Sequence, residues 1–374
     1  MKGISRREWL KSASLGSGMA LLGATGLSSS LSAEEIRKFN PRPLAGPVRL
    51  GSNENPYGPS EKMRQAMTAA FDNGCRYPWS YNSALVKMIA EKEGVPEDYI
   101  VLTAGSTEGL KVAGITFGKG GEIITCAPTF LSMMEYAELW GTDINWVPLT
   151  KDLDFDLDEI EKRVTHETRL VFLCNPNNPT GKLLPADRVK DFCETVSKRT
   201  VVFSDEAYYD YITVPNYPSM VELVKKGHDV VVSRTFSKVY GLAGIRMGYM
   251  IAKPELAKKL QDRVVANTNI MAIEASKAAL MDQEFYRFSI QKAAEAKALL
   301  TQTLDQLRLP YLDSHANFVF FQSGRDIVEL NKTMAQKGFI IGRPFPPLNE
   351  WCRISTGTIE EVNLYNQAIR EVLG

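Results

Sequence analysis

The chain has 374 residues, 44% of them hydrophobic, which is enough to bury a sizeable core and suggests two domains more than one. Its 44 basic and 44 acidic residues cancel, so charge gives no reason to expect a nucleic-acid partner. The three histidines, His166, His228 and His315, lie far apart without metal-ligand spacing; neither a metal site nor a Ser-His-Asp triad finds support.

At the N-terminus, Ser5-Arg-Arg-Glu-Trp-Leu-Lys11 resembles a twin-arginine export signal, with Trp9 where such signals usually carry Phe. The Gly/Ala/Ser-rich stretch from Ala13 to Leu27 is too short and too weakly apolar for a stable membrane span and suits a cleavable segment. Small residues at Ser30 to Ala33 offer a cleavage site, though Leu31 makes it imperfect. The expectation is an exported or periplasmic protein, free of the membrane after cleavage; the alternative is a disordered cytoplasmic extension. The Pro-rich stretch Asn40–Pro59 then reads as an arm closing over a site.

From Tyr99 onward short apolar runs alternate with amphipathic stretches. Tyr99–Thr103, Glu122–Cys126, Ile144–Pro148, Arg169–Cys174, Thr200–Ser204, Asp229–Ser233 and Met247–Ala252 read as strands. Helical segments separate most of them, the pattern of an α/β fold with a mostly parallel sheet and helices on both faces. Gly118-Lys-Gly-Gly121 lacks the spacing of a phosphate loop and reads as a helix-ending turn. Glu274 to Leu309, dense in Ala, Lys, Glu and Gln, predicts one long interdomain helix. Beyond it Asn317–Phe321, Phe339–Ile341 and Trp351–Ser355 read as strands of a smaller α+β unit. The division is therefore 1–33 signal, 34–70 arm, 71–265 large domain and 266–374 small domain. Five cysteines, an odd number, show no disulfide framework.

Chemistry concentrates at the ends of three of these runs. Ser233-Arg-Thr-Phe-Ser-Lys-Val-Tyr-Gly-Leu-Ala-Gly-Ile-Arg-Met-Gly248 places Lys238 in a hydroxyl-rich turn after a buried run, with Arg246 eight residues on. Such a lysine is a candidate Schiff-base amine, and Ser233, Thr235, Ser237 and Arg246 together suit a phosphate. A lysine beside a phosphate cradle suggests pyridoxal phosphate, although most Ser/Lys turns are only solvated loops. Upstream, Arg169–Cys174 ends in Asn175-Pro-Asn-Asn-Pro-Thr-Gly181, and Thr200–Ser204 ends in Asp205-Glu-Ala-Tyr208. Ligands of open parallel sheets bind beyond the carboxyl ends of strands, where Asn178, Asp205, Tyr208 and Lys238 would meet. Taken singly, Asp205 is equally a helix cap, Asn178 a turn former and Tyr208 packing.

Together these motifs, with Ser52-Asn-Glu-Asn-Pro-Tyr-Gly58, Arg76-Tyr-Pro78, Ala104-Gly-Ser-Thr-Glu-Gly109 and Trp351-Cys-Arg-Ile-Ser-Thr-Gly357, resemble a fold-type I, class I/II aminotransferase. The histidinol-phosphate aminotransferase family is the branch most similar, and the likeness runs from about Leu50 to the C-terminus. The resemblance implies a seven-stranded, PLP-binding large domain and these roles. Lys238 carries the cofactor and shuttles the substrate Cα proton, Asp205 pairs with the pyridine nitrogen, and Asn178 and Tyr208 contact the phenolic oxygen. Gly105, Ser106 and Thr107 open a helix, running to about Phe117, whose N-terminus receives the phosphate. Thr235, Ser237 and Arg246 complete the cradle, and Phe130 stacks on the ring. Tyr77 reaches the neighbouring subunit's phosphate in a homodimer. Arg353 clamps the substrate carboxylate, while Arg343 and Tyr57 touch its distal group. Core packing for Phe130, an exposed turn for Tyr77, a surface ion pair for Arg353 and a rigid loop for Arg343 are the plain alternatives.

The implied activity is ping-pong amino transfer to a 2-oxo acid, with L-histidinol phosphate and 2-oxoglutarate favoured. An aromatic amino acid transaminase, or a PLP lyase or decarboxylase on the same fold, are the alternatives.

Overall fold

The structure, a computed structural model, describes residues 46–374; the expected signal at 1–33 and the beginning of the expected arm lie outside the described residues. The arm enters as β1 (Val48–Arg49), followed by α1 (Glu61–Ala70) and α2 (Trp79–Glu93). Then come β2 (Ile100–Thr103), α3 (Ser106–Phe117), β3 (Glu122–Ala127), α4 (Ser132–Glu138), β4 (Asp143–Pro148), α5 (Leu157–Arg163), β5 (Thr168–Cys174), α6 (Ala186–Val196) and β6 (Val201–Asp205). The alternation ends with α7 (Val221–Lys225), β7 (Val230–Thr235), β8 (Gly248–Ala252) and α8 (Pro254–Gln261). The seven strand runs expected from sequence all form, within two residues of the expected ends. Val, Ile, Leu and Phe fill them because strands covered on both faces tolerate little else.

These strands make one sheet in the order β2-β8-β7-β6-β5-β3-β4. Neighbours from β7 through β4 run parallel, while β8 is antiparallel to both β7 and β2. It follows that β2 points the same way as β5, β6 and β7, so their carboxyl ends share one edge. Register makes the edge level: Cys174 faces Asp205, and Asp205 faces Ser233.

The expected single helix over Glu274–Leu309 is two: α9 (Ile270–Met281) and α10 (Gln283–Leu307). Asp282 breaks it. Its carboxylate accepts from the Phe285 N–H as the cap of α10, and it also takes Ser60 Oγ–H and Lys62 Nζ–H from the start of α1. After α10 come β9 (Phe318–Gln322), α11 (Ile327–Gln336), β10 (Phe339–Ile340), β11 (Trp351–Ser355) and α12 (Ile359–Leu373). Strands β9 and β11 pair antiparallel, and β10 pairs with β1, a strand that sequence alone did not reveal.

Two hydrophobic clusters result. The larger packs the sheet against its helices and includes Met63 of α1; the smaller joins Leu50, Leu300, Phe321, Ile354 and Tyr365. Helix α10 serves both, with Ala293 in the first cluster and Ala296, Leu300 and Leu304 in the second. The cores therefore part within α10 rather than at 265/266. The 34–70 segment also divides, its strand joining the smaller core and its helix the larger.

Candidate active site

Two acidic residues at the end of β6 have opposite fates. Glu206 is fully engaged, ion-paired to Arg234 at 2.9 Å and accepting from Ser219 Oγ–H and Met220 N–H at 2.8 Å each. Asp205, only 3% exposed, accepts a 3.3 Å bond from Ala207 N–H and makes no ion pair among the described residues. Burial lifts its pKa to about 7 against the opposing pull of that N–H and of Lys238. A buried carboxyl left without a cation fits a protonated ring nitrogen.

Lys238 lies in the turn after β7. Its Nζ donates to the carbonyl oxygens of Asn53 at 3.1 Å and Ser52 at 3.4 Å, so the arm holds the amine. Burial first, then the field of Arg353, depress its pKa to about 8. Near neutrality an appreciable fraction is therefore the free, nucleophilic amine. The arm is seated on this same turn. Asn55 Nδ2 donates to Val239 O at 2.8 Å, and a Cβ added to Gly58 would come within 2.6 Å of the Gly241 Cα. Only glycine permits that approach.

A cluster of groups suited to holding a phosphate stands at the end of β2. Gly105 (φ 86) precedes α3, whose first turn has no side-chain cap, leaving its N–H groups directed at the edge where Ser106 and Thr107 line a cavity. Any Cβ at Gly105 would collide with the Arg246 guanidinium, so that small residue lets the cation lie over the helix N-terminus. Arg246 itself adopts φ 64 and is tied to Ala243 O at 2.7 Å. Thr235 and Ser237 complete the ring, with Ser237 N–H donating to Thr235 Oγ1 at 3.0 Å.

Arg353, on β11, donates to Asn178 Oδ1 and to Gly51 O, at 2.5 Å each, while its buried Nε has no hydrogen-bond partner. Its guanidinium and that of Arg343 both lie against the Phe345 ring, at 5.1 and 4.5 Å. Asp205, Lys238, Ser106, Thr107, Arg246, Arg343 and Arg353 line one cavity of about 790 Å³, together with Phe130, Asn178 and Tyr208. Lys238, Arg246, Arg343 and Arg353 put four cations there against the carboxylates of Asp205 and Glu54. Such a cavity favours anions, and it has room for a phosphorylated cofactor and an anionic substrate.

Of the residues singled out from sequence, three lie elsewhere in this chain, and the first is Ser233, fully buried within β7 and no part of the cavity lining. Tyr57 does not line the cavity: its ring packs edge-on to Phe288 at 5.1 Å, and its hydroxyl accepts from Ile359 N–H at the start of α12. Tyr77 is 74% exposed and stacks on Trp79, away from its own chain's site. Sequence reasoning assigned no role to Asn53 and Glu54, which line the cavity, or to Phe345, whose ring lies against both arginines. The motif holding Asn53 was visible, but its partners Tyr208 and Ser355 lie 155 and 302 residues away.

The residues present fit pyridoxal phosphate: an amine, a buried carboxyl without an ion pair among the described residues, and an uncapped helix N-terminus beside an arginine. Comparisons with known proteins agree. Residues 45–369 match the model of the family described as aminotransferase class I and II. A histidinol-phosphate aminotransferase of Moorella thermoacetica is 36% identical over 87% of this chain and 85% of its own length. Histidinol-phosphate aminotransferase 2 of Ralstonia nicotianae is 39% identical over 84% of this chain and 85% of its own. The crystal structure of the Sinorhizobium meliloti histidinol-phosphate aminotransferase in complex with pyridoxal-5'-phosphate superposes with a TM-score of 0.79 at 26% identity, covering 93% of this chain and 99% of that one.

Proposed function

The chain belongs to the class I and II aminotransferases, and from that premise we propose that its amino donor is L-histidinol phosphate and its acceptor 2-oxoglutarate. It is a PLP-dependent enzyme of the fold-type I class. Pyridoxal phosphate, when bound, supplies an aldehyde for amines and a ring that stores the electrons released when a Cα–H bond breaks.

The chain's own residues do the rest. Lys238 Nζ, as free amine, takes the proton from the donor Cα and later returns one to the acceptor Cα. Asp205 keeps a proton on the ring nitrogen, and Asn178 and Tyr208 address the phenolic oxygen. The cradle of Gly105, Ser106, Thr107, Thr235, Ser237 and Arg246 anchors the phosphate. The arm residues Gly51 to Glu54 cover the cavity and limit water.

One observation carries the choice of donor. Arg343 and Arg353 present two guanidiniums against one aromatic ring, and a buried Nε is left for a ligand. Histidinol phosphate has no α-carboxylate; a phosphoryl dianion stands in its place, and paired guanidiniums suit a dianion. A singly charged carboxylate, as in 2-oxoglutarate, is met by the same pair. The test mixes the loaded enzyme separately with histidinol phosphate, phenylalanine, tyrosine, glutamate and aspartate while following the cofactor's visible band. Loss of the band with histidinol phosphate and glutamate is expected. Rapid loss with phenylalanine or tyrosine, histidinol phosphate being inert, would replace the donor by an aromatic amino acid.

A homodimer belongs to the same proposal. It is supported by the exposed aromatic group Phe71, Tyr77 and Trp79, which would be costly in solvent and which suits a subunit contact that brings Tyr77 to the partner's phosphate. Export rests on the Arg6-Arg7 pair and the weakly apolar stretch behind it. N-terminal sequencing of the protein from a periplasmic fraction tests it, with a chain beginning at or near Glu34 expected.

A further inference from the structure

The Tyr208 hydroxyl is surrounded by groups whose hydrogen-bond directions can be assigned in turn. Ser355 Oγ accepts the Asn53 backbone N–H at 2.8 Å, and its own proton goes to Asn53 Oδ1, also at 2.8 Å. That orients the amide, so Asn53 Nδ2 is the donor to the Tyr208 oxygen at 2.8 Å. Asn178 is oriented by the same logic: its Oδ1 accepts from Arg353, and its Nδ2 faces the Tyr208 oxygen at 3.4 Å. A phenolic oxygen accepting from two amides has only its proton left to offer. Burial raises the Tyr208 pKa well above its ordinary value, so the proton stays.

Asn53 is held firmly enough for the task. It is buried at 1% exposure, adopts φ 54, a left-handed conformation that asparagine tolerates, and its carbonyl accepts from both Asn317 Nδ2 and Lys238 Nζ at 3.1 Å.

We propose that Asn53 is a positioning residue: by filling the acceptor side of the Tyr208 hydroxyl, it directs the tyrosine proton into the cavity, onto the phenolic oxygen of the cofactor. The inference rests on the cofactor and not on the identity of the donor. It gives the arm and the C-terminal strand β11, through Ser355, a part in setting a proton delivered from the sheet edge.

A proton donated to the phenolic oxygen draws electron density from the cofactor and holds down the pH midpoint of its visible absorbance band. Arg353, Glu54, Asp205 and Arg246 are the charged groups that act on the Lys238 nitrogen, and the variants below leave all of them in place. Asn53→Gly deletes the amide but keeps the left-handed backbone, and Tyr208→Phe deletes the hydroxyl. The expected result is a midpoint raised by about half a unit to one unit in Asn53→Gly, the size of one hydrogen bond. In the Tyr208→Phe background the same change should add nothing, a coupling that mere loss of stability does not produce. An unmoved midpoint, or an equal shift in both backgrounds, overturns the proposal. Should Asn53→Gly fail to fold, Ser355→Ala frees the amide to rotate and is expected to shift the midpoint upward by less; no shift there overturns it equally. A wild-type chain without any visible band on adding pyridoxal phosphate would instead remove the cofactor assignment.

Discussion

Asp205 and Lys238 carry opposite distortions, and each yields a measurable sign. The Asp205 pKa rises from 3.8 to about 7 on folding, so the folded apo chain binds more protons than the unfolded one across that interval. Its stability therefore falls as pH climbs from about 4 to 7. Asp205→Asn removes this cost. At pH 8 the apo variant should be more stable than wild type, on the order of 1–3 kcal/mol by denaturant titration, while amino transfer drops by about a hundredfold or more. A less stable apo variant would mean that the carboxylate has a structural partner. Lys238 is depressed from 10.5 to about 8, so the rate at which apo enzyme takes up pyridoxal phosphate should rise with pH and level off above about 8, where an ordinary lysine would keep gaining toward 10.5. Arg353→Met, which removes a listening cation's field, should move that midpoint upward. These two residues were legible in the sequence because Asp205 closes an apolar run and Lys238 sits in the hydroxyl-rich turn that follows another. Asn53 and Phe345 were not, since what defines them is a contact made hundreds of residues away or a ring shared by two arginines.

Among the elements, the strands were the most readable. A run such as Leu170–Cys174 is apolar throughout because helices cover both faces of the sheet, and a turn-rich cluster marks its end. The break between α9 and α10 was not readable, since Asp282 within a helix-rich stretch looks like one more polar position until Ser60 and Lys62 arrive from α1. Strand β1 is two residues long and exists through its pairing with β10. The cradle makes a prediction at this scale. Gly105→Ala forces a side chain into a left-handed position and against Arg246, so it should weaken pyridoxal phosphate binding by about tenfold or more, through strain of about 1–2 kcal/mol. Excess cofactor should restore much of the activity. Cofactor affinity equal to wild type in equilibrium titration would show that α3 does not receive the phosphate.

At the scale of the molecule, the chain joins a sheet edge, an arm and a C-terminal unit around one anion-favouring cavity. The sequence predicted both units but set their boundary at 265/266, because a long amphipathic helix looks like a linker. Its packing assigns each half of α10 to a different core. The proposed dimer predicts that Tyr77→Phe lowers cofactor affinity without altering the spectrum of the bound form. It further predicts that the chain sediments as two subunits; a fully active monomer would contradict this. Amino transfer itself is measured by a nitrogen balance. The enzyme would be incubated with histidinol phosphate and 2-oxoglutarate, and glutamate, ammonia and carbon dioxide quantified together. One glutamate is expected for each donor consumed, with neither carbon dioxide nor free ammonia released. Ammonia or carbon dioxide in proportion to donor lost, without glutamate, would contradict it.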